Sequence, residues 1–161
     1  MAKVNILDEL IIRPMLSTDI EAVAKLDELC FALPWGAKAY LTELSLPEHH
    51  WLIATDSSGN LLGFAGLMVI PFPPYEAEIL NVAVDHGFRN QGIAHRLLSE
   101  LVVKASNLPQ TPVSSIFLEV RASNTPAQKA YEKLGFVFDG VRKNYYLDNK
   151  EDAWLMHLSL T

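Results

Sequence analysis

Cysteine is nearly missing. Cys30 stands alone in 161 residues, which excludes an intrachain disulfide and any multi-cysteine zinc site. Long apolar runs are missing too: the longest, Leu61 to Pro74, is broken by glycines and prolines and falls short of the ~18 residues a membrane helix needs. No membrane association is expected. The opening Met1-Ala2-Lys3-Val4-Asn5 has none of the apolar centre of a secretory signal, so the expected setting is the reducing cytoplasm. Positive charge is in short supply, with 13 Lys and Arg against 19 Asp and Glu for a net charge of −6. A protein that grips nucleic acid by its phosphates carries a basic surface, so direct nucleic-acid binding is not expected. An amine or a basic peptide suits this field better. The five histidines (His49, His50, His86, His95, His157) form no metal motif, and Ser17, Ser57 and Ser123 sit in no nucleophile elbow.

What is present is enough apolar material for a core, with 50% hydrophobic and 20% charged residues. The length fits one domain over residues 1–161, with residues 1–8 set apart as a flexible lead. Glu9 to Arg13 reads as a strand ended by Pro14, and Thr18 to Glu21 matches a capping box opening a helix. That helix puts Ile20, Val23, Leu26 and Cys30 near one face, so Cys30 reads as a small core residue. A loop, Phe31 to Gly36, leads to a short helix over Lys38 to Leu46. Strands are expected at Trp51 to Thr55, Leu61 to Ile70, Glu78 to Val84 and Ser115 to Arg121, with a helix from Ile93 to Ser106. Thr125-Pro126 opens another helix with a hydroxyl cap, and Gly135 ends it. Phe136 to Tyr146 and Ala153 to Leu160 read as two last strands joined at Asp148-Asn149-Lys150. The order implies an α+β protein, a mixed sheet flanked by helices.

The most informative stretch runs from Val82 through Asp85 to Ala94: a strand, a polar loop with Arg89-Asn90-Gln91-Gly92, then a helix start at Ile93-Ala94. Free N–H groups at a helix N-terminus, backed by its dipole, bind anions, and Gly92 lets main chain approach a diphosphate. The loop is too short for a P-loop and lacks a dinucleotide glycine fingerprint. Arg89-x-x-Gly92-x-Ala94 resembles the acyl-CoA diphosphate motif of the GNAT N-acetyltransferase superfamily, with alanine in place of the commoner last glycine. That resemblance implies acetyl-CoA as cosubstrate, bound by Arg89, Asn90, Gln91, Gly92, Ile93 and Ala94. It also implies that main-chain groups of Val82, Ala83 and Val84 hold the pantetheine arm and polarise the thioester. The implied fold is a mostly antiparallel, V-split sheet of about seven strands with about four helices.

A second block, Leu118-Glu119-Val120-Arg121-Ala122-Ser123-Asn124 followed by Ala127-x-x-Ala130-Tyr131-Glu132-Lys133-Leu134-Gly135-Phe136, is similar to the RimI-type subgroup. So are the Phe31–Trp35 loop and Arg142 to Tyr146 with Glu151-Asp152-Ala153, and the similarity runs from about Leu10 to Leu160. Read from the residues alone, Glu119 is a carboxylate within an apolar strand, on the face shared by Phe117 and Arg121, and an ion pair with Arg121 or a neighbour would explain it. Tyr131 fits a core stripe with Ala127, Ala130 and Leu134. The resemblance implies instead that Glu119 is the general base, Tyr131 the acid toward the departing thiolate and Asn124 a hydrogen-bond partner of CoA. It places Trp35, Tyr145 and Tyr146 beside the incoming peptide, where packing is the competing reading. Glu43, Glu48 and Glu151 read best as solvated surface.

The implied reaction is direct transfer to the N-terminal α-amine of a ribosomal protein, with no metal. An α-amine with pKa ~7.7–8.0 is about a tenth neutral at pH 7, whereas a lysine near ~10.4 is below about a thousandth, so one carboxylate base suits a chain terminus better. The rivals are an acetyltransferase for a small amine, polyamine or lysine, and a non-catalytic CoA-binding module. The expected state is a monomer or weak dimer.

Overall fold

The computed structural model describes residues 4–160. One seven-stranded sheet runs through it in the order β1-β2-β3-β4-β5-β7-β6. The strands are β1 (Ile11–Pro14), β2 (His49–Thr55), β3 (Leu61–Val69), β4 (Glu76–Val84), β5 (Ser115–Arg121), β6 (Val137–Arg142) and β7 (Ala153–Ser159). Every neighbouring pair is antiparallel except β4 and β5. A parallel pair needs a crossover, and α4 (Ile93–Ser106) supplies it.

The parallel contact is brief. Only Glu76↔Ser115, Ala77↔Ile116 and Glu78↔Phe117 are paired, and beyond them β4 and β5 part. The sheet is thus split into a V, as the resemblance implied. Each face carries its own core. On one face α4 lays Ile93, Leu97, Leu98, Leu101 and Ala105 against Leu62, Leu67, Ile79 and Ile116, and α5 (Thr125–Lys133) adds Tyr131. On the other, α2 (Ile20–Cys30) and α3 (Ala37–Leu44) bury Val23, Leu26 and Tyr40 against Trp51, Ile53 and Phe64.

Local details correct the sequence reading. Glu9 ends a one-turn helix, α1 (Ile6–Glu9), and the first strand starts at Ile11 and takes in Pro14. An edge strand tolerates proline at its end. Residues 1–3 of the expected flexible lead lie outside the described residues. The expected Thr18 capping box does not form: Ser17–Asp19 is a 3-10 turn, and the Asp19 carboxylate accepts from the Leu16 N–H (2.7 Å) and pairs with Arg13 (2.8 Å). The cap of α5 is Asn124, not Thr125, because the longer carboxamide reaches the Ala127 N–H (3.3 Å). The strand expected to run to Tyr146 stops at Arg142, where Asn144 turns the chain with φ 51°. Among the described residues no helix is long and apolar enough to cross a membrane.

Candidate active site

The V opens into a cleft of about 1360 Å³ between β4 and β5. Its first wall is main chain. Asp85 donates to the Leu62 carbonyl (2.8 Å), and hydrogen-bonded pairs alternate along an antiparallel ladder. Ala83 therefore bonds to Phe64 of β3, while Val82 and Val84 turn their N–H and C=O toward the side that β5 has left. The Val84 carbonyl is met there by the Arg89 Nε (3.0 Å). Arg89 thus spends its guanidinium on holding the loop to the end of β4, with Nη2 3.5 Å from Cys30 Sγ.

The loop then prepares the start of α4. Asn90 (φ 61°) and Gly92 (φ 85°) are both left-handed, and Gly92 is the N-cap. No side chain caps this end and no acid lies in its first turn, so its N–H groups face the cleft unopposed. Leu7 of α1 covers Gly92, where an added Cβ would lie 3.4 Å from Leu7 Cδ1. Val82, Ala83, Val84, Arg89, Asn90, Gly92, Ile93 and Ala94 all line the cleft, whereas Gln91 does not and is exposed. Sequence reasoning missed a basic rim of Arg96, Lys129 and Lys133 along the same cleft. The Lys129–Lys133 spacing of four on α5 is the signal that would have shown it.

The second wall is side chains. Glu119 stands on β5 at the fork with its side chain 21% exposed. It does not pair with Arg121: Arg142 Nη1 donates to it at 2.9 Å. The neighbouring Glu119 carboxylate first, and partial burial second, push the Tyr145 pKa up to about 12. Glu78 lies at the same fork, its carboxyl pushed up by burial first and by the Glu119 charge second. Tyr131 is 8% exposed, and burial drives its phenol far to the protonated side. Tyr131 and Asn124 both line the cleft, as seven-residue spacing along α5 predicts. Asn124 uses its Oδ1 as the helix cap, which leaves its amide N–H groups for a ligand.

Trp35, Tyr145 and Tyr146 also line the cleft. Trp35 is 40% exposed and its ring packs tilted against Tyr40 (5.4 Å) and edge-to-face against Trp51 (5.9 Å), so packing fixes it and leaves part of it open. Tyr146 lies under the Arg121 guanidinium at 4.0 Å. Arg121 in turn pairs with Asp148 (3.0 Å) and Glu151 (3.3 Å), while Glu151 accepts from the Ser123 N–H (2.8 Å). Glu151 was expected to be solvated surface; it ties the β6–β7 turn to the start of α5. Glu43 is likewise engaged, by His49 and by Trp51 Nε1 (3.4 Å), whereas Glu48 is half-buried. Cys30 packs partly buried against the α2–α3 core, as its place on the helical stripe implied, and its thiol also lines the cleft, 3.7 Å from the Val84 carbonyl. Burial raises the thiol pKa and the nearby Arg89 only partly opposes this, so it is no ready thiolate.

The sequence profile of the acetyltransferase (GNAT) family matches residues 20–136. The chain is 33% identical to the [ribosomal protein bS18]-alanine N-acetyltransferase of Escherichia coli (strain K12), over 90% of this chain and 94% of that protein. The crystal structure of the Escherichia coli ribosomal-protein-S18-alanine N-acetyltransferase superposes with a TM-score of 0.81 at 31% identity, covering 94% of each chain. A 35% identity links it to the N-alpha-acetyltransferase RimI of Mycobacterium tuberculosis, over 76% of this chain and 74% of that one. The spermidine N-acetyltransferase of Vibrio cholerae shares the fold, with a TM-score of 0.78 at 18% identity over 94% of each chain.

Proposed function

The chain belongs to the acetyltransferase (GNAT) family, and on that premise we propose that it moves the acetyl group of acetyl-CoA to the N-terminal α-amine of ribosomal protein bS18, at alanine. The observation that carries this reading is the convergence on one fork of two unlike surfaces. On one side stand the outward main chain of Val82 and Val84 and the uncapped start of α4; on the other stands Glu119.

The residues fit the cosubstrate. A diphosphate suits the N–H groups from Gly92 to Ala94, with Arg96, Lys129 and Lys133 at the rim for further phosphate charge. The pantetheine arm has the chain's own polar edge, Val82 and Val84, to bond in place of a neighbouring strand, and the Asn124 amide faces it. Glu119 removes a proton from the ammonium, directly or through water, so that a neutral amine attacks the thioester carbonyl. The charge that develops on the carbonyl oxygen meets the N–H of Val84. Tyr131, held protonated by burial, donates to the sulfur as it departs. Full transfer from so weak an acid to a thiolate of ordinary pKa ~8.5 is uphill, so hydrogen bonding carries the first part of its effect.

An acceptor peptide would run between Trp35 and the Tyr145–Tyr146 turn, an arrangement that suits an extended chain with its terminus at Glu119. Purified protein with acetyl-CoA is to be offered a bS18 N-terminal peptide starting with alanine, the same peptide with a blocked terminus and an internal lysine, and spermidine. Acetylation of the first alone is expected. Transfer to spermidine with none to the free α-amine would overturn the substrate and keep the family.

A further inference from the structure

Between β3 and β4 the register slips. Ala65 faces Val82, but Leu67 faces Ile79, so two steps on β3 match three on β4 and the extra residue falls at Leu80–Asn81. Successive strand residues normally point to opposite faces. The bulge lets two in a row turn toward α2 and α3. Leu80 packs against the Tyr40–Trp51–Phe64 cluster, and Asn81 Nδ2 donates to the Tyr40 hydroxyl (3.0 Å). Opposite the bulge, Gly66 leaves the space that the Trp51 ring fills, since a Cβ there would come within 2.5 Å of it.

The chain of bonds continues inward. Tyr40 donates to Asp27 Oδ1 (2.7 Å), and Asp27 Oδ2 accepts from the Gly36 N–H (3.1 Å). Tyr40 and Asp27 are both 0% exposed, in a core otherwise made of Val23, Leu26, Trp51, Ile53 and Phe64. A carboxylate in such a place is costly unless its bonds do something a leucine would not. Its two ends show what that is. One end is the bulge just ahead of Val82 and Val84, the edge that faces the thioester. The other is Gly36 (φ 83°), where the Phe31–Trp35 acceptor loop meets α3.

We propose that Tyr40, with Asp27 and Asn81, is a positioning residue that fixes the spacing between the thioester-polarising edge of β4 and the acceptor loop. Its catalytic consequence rests on the acetyl-transfer reading above; the linkage itself does not. Tyr40→Phe keeps the ring contacts to Trp35, Trp51 and Phe64 and removes only the hydroxyl. It should lower kcat/KM for the acceptor at least tenfold, while the KM for acetyl-CoA stays within twofold. Asn81→Ala should speed amide hydrogen exchange at Gly36 and through residues 31–36, although Asn81 reaches Gly36 only through Tyr40 and Asp27. Because Tyr40→Phe leaves a buried carboxylate short of a donor, the double variant Tyr40→Phe with Asp27→Leu is the control for folding: it should regain thermal stability but not activity. Unchanged loop exchange in Asn81→Ala, or wild-type kcat/KM in the double variant, would overturn the proposal. A wild-type protein that acetylates no α-amine would instead fall on the substrate reading, and the exchange result would still decide the linkage.

Discussion

The wall of the cleft formed by β4 and the start of α4 presents main chain, whereas the wall formed by β5, α5 and the β6–β7 turn presents side chains. The first wall depends on register and φ: the bulge at Leu80–Asn81, the outward edge at Val82 and Val84, and the left-handed Asn90 and Gly92. The identity of most of its side chains is secondary, and Gln91 does not even face the cleft. The second wall depends on charge. Arg142 holds Glu119, and Arg121 with Glu151 holds the turn that carries Tyr145 and Tyr146. On the proposed reading, the main-chain wall holds the handle common to the cosubstrate and the side-chain wall chooses what reacts.

The comparison makes opposite demands on substitutions in the two walls. Glu119→Gln keeps an acceptor for Arg142 but cannot take a proton; turnover at saturating acetyl-CoA should fall about 100-fold or more, with acetyl-CoA affinity unchanged by calorimetry. Wild-type turnover would remove Glu119 from the chemistry. Gly92→Val strikes the other wall. A β-branched residue at φ 85° costs about 1–3 kcal/mol. The loop either keeps the strain or leaves the conformation that aims the N–H groups. Acetyl-CoA should bind about tenfold more weakly, while turnover at saturating cosubstrate changes much less. Equal loss in both parameters would mean the two walls are not separable.

The main-chain wall was the more legible in sequence, because local rules write it. A strand, a glycine loop and an apolar stripe bounded α4 at Ile93–Ser106, and β5 at Ser115–Arg121 was legible the same way. The partner of Glu119 was not legible. Sequence proximity suggested Arg121, but β7 inserts between β5 and β6, and that strand order carries Arg142 to Glu119 from 23 residues away. Cys30 was legible in part: the helical stripe placed it against the core, but not at the cleft that the parting of β4 and β5 opens beside it. The bulge was invisible too, since Leu80-Asn81 sits in an ordinary strand pattern and only pairing with β3 shows the extra residue.

Two smaller effects sharpen the contrast. Tyr131→Phe keeps the ring in its core and deletes the proposed donor to sulfur; transfer should slow about tenfold with acetyl-CoA affinity retained if Tyr131 acts on the wall that reacts. Loss of binding without loss of turnover would move it to the other wall. The last effect is one of pH. Ser123, by its hydroxyl first and its N–H second, together with Arg121 and Asn149, holds the Glu151 pKa down at about 2 against an ordinary 4.5. The folded value is depressed, so the contribution of Glu151 is present in full above about 4.5 and is lost as pH falls toward about 2. Glu151 is half-buried at the surface end of the turn and its bonds are partly screened by solvent, so global stability should hardly move at neutral pH. Its effect should be local: in Glu151→Gln at pH 7, amide exchange at residues 144–152 should quicken and the KM for the acceptor peptide should rise a few-fold, with the KM for acetyl-CoA fixed. In wild type the same quickening should be absent at pH 7 and set in only below about pH 4.5. Exchange in that turn that ignores both the substitution and the acid would mean that packing under Arg121, rather than the Glu151 charge, holds the side-chain wall in place.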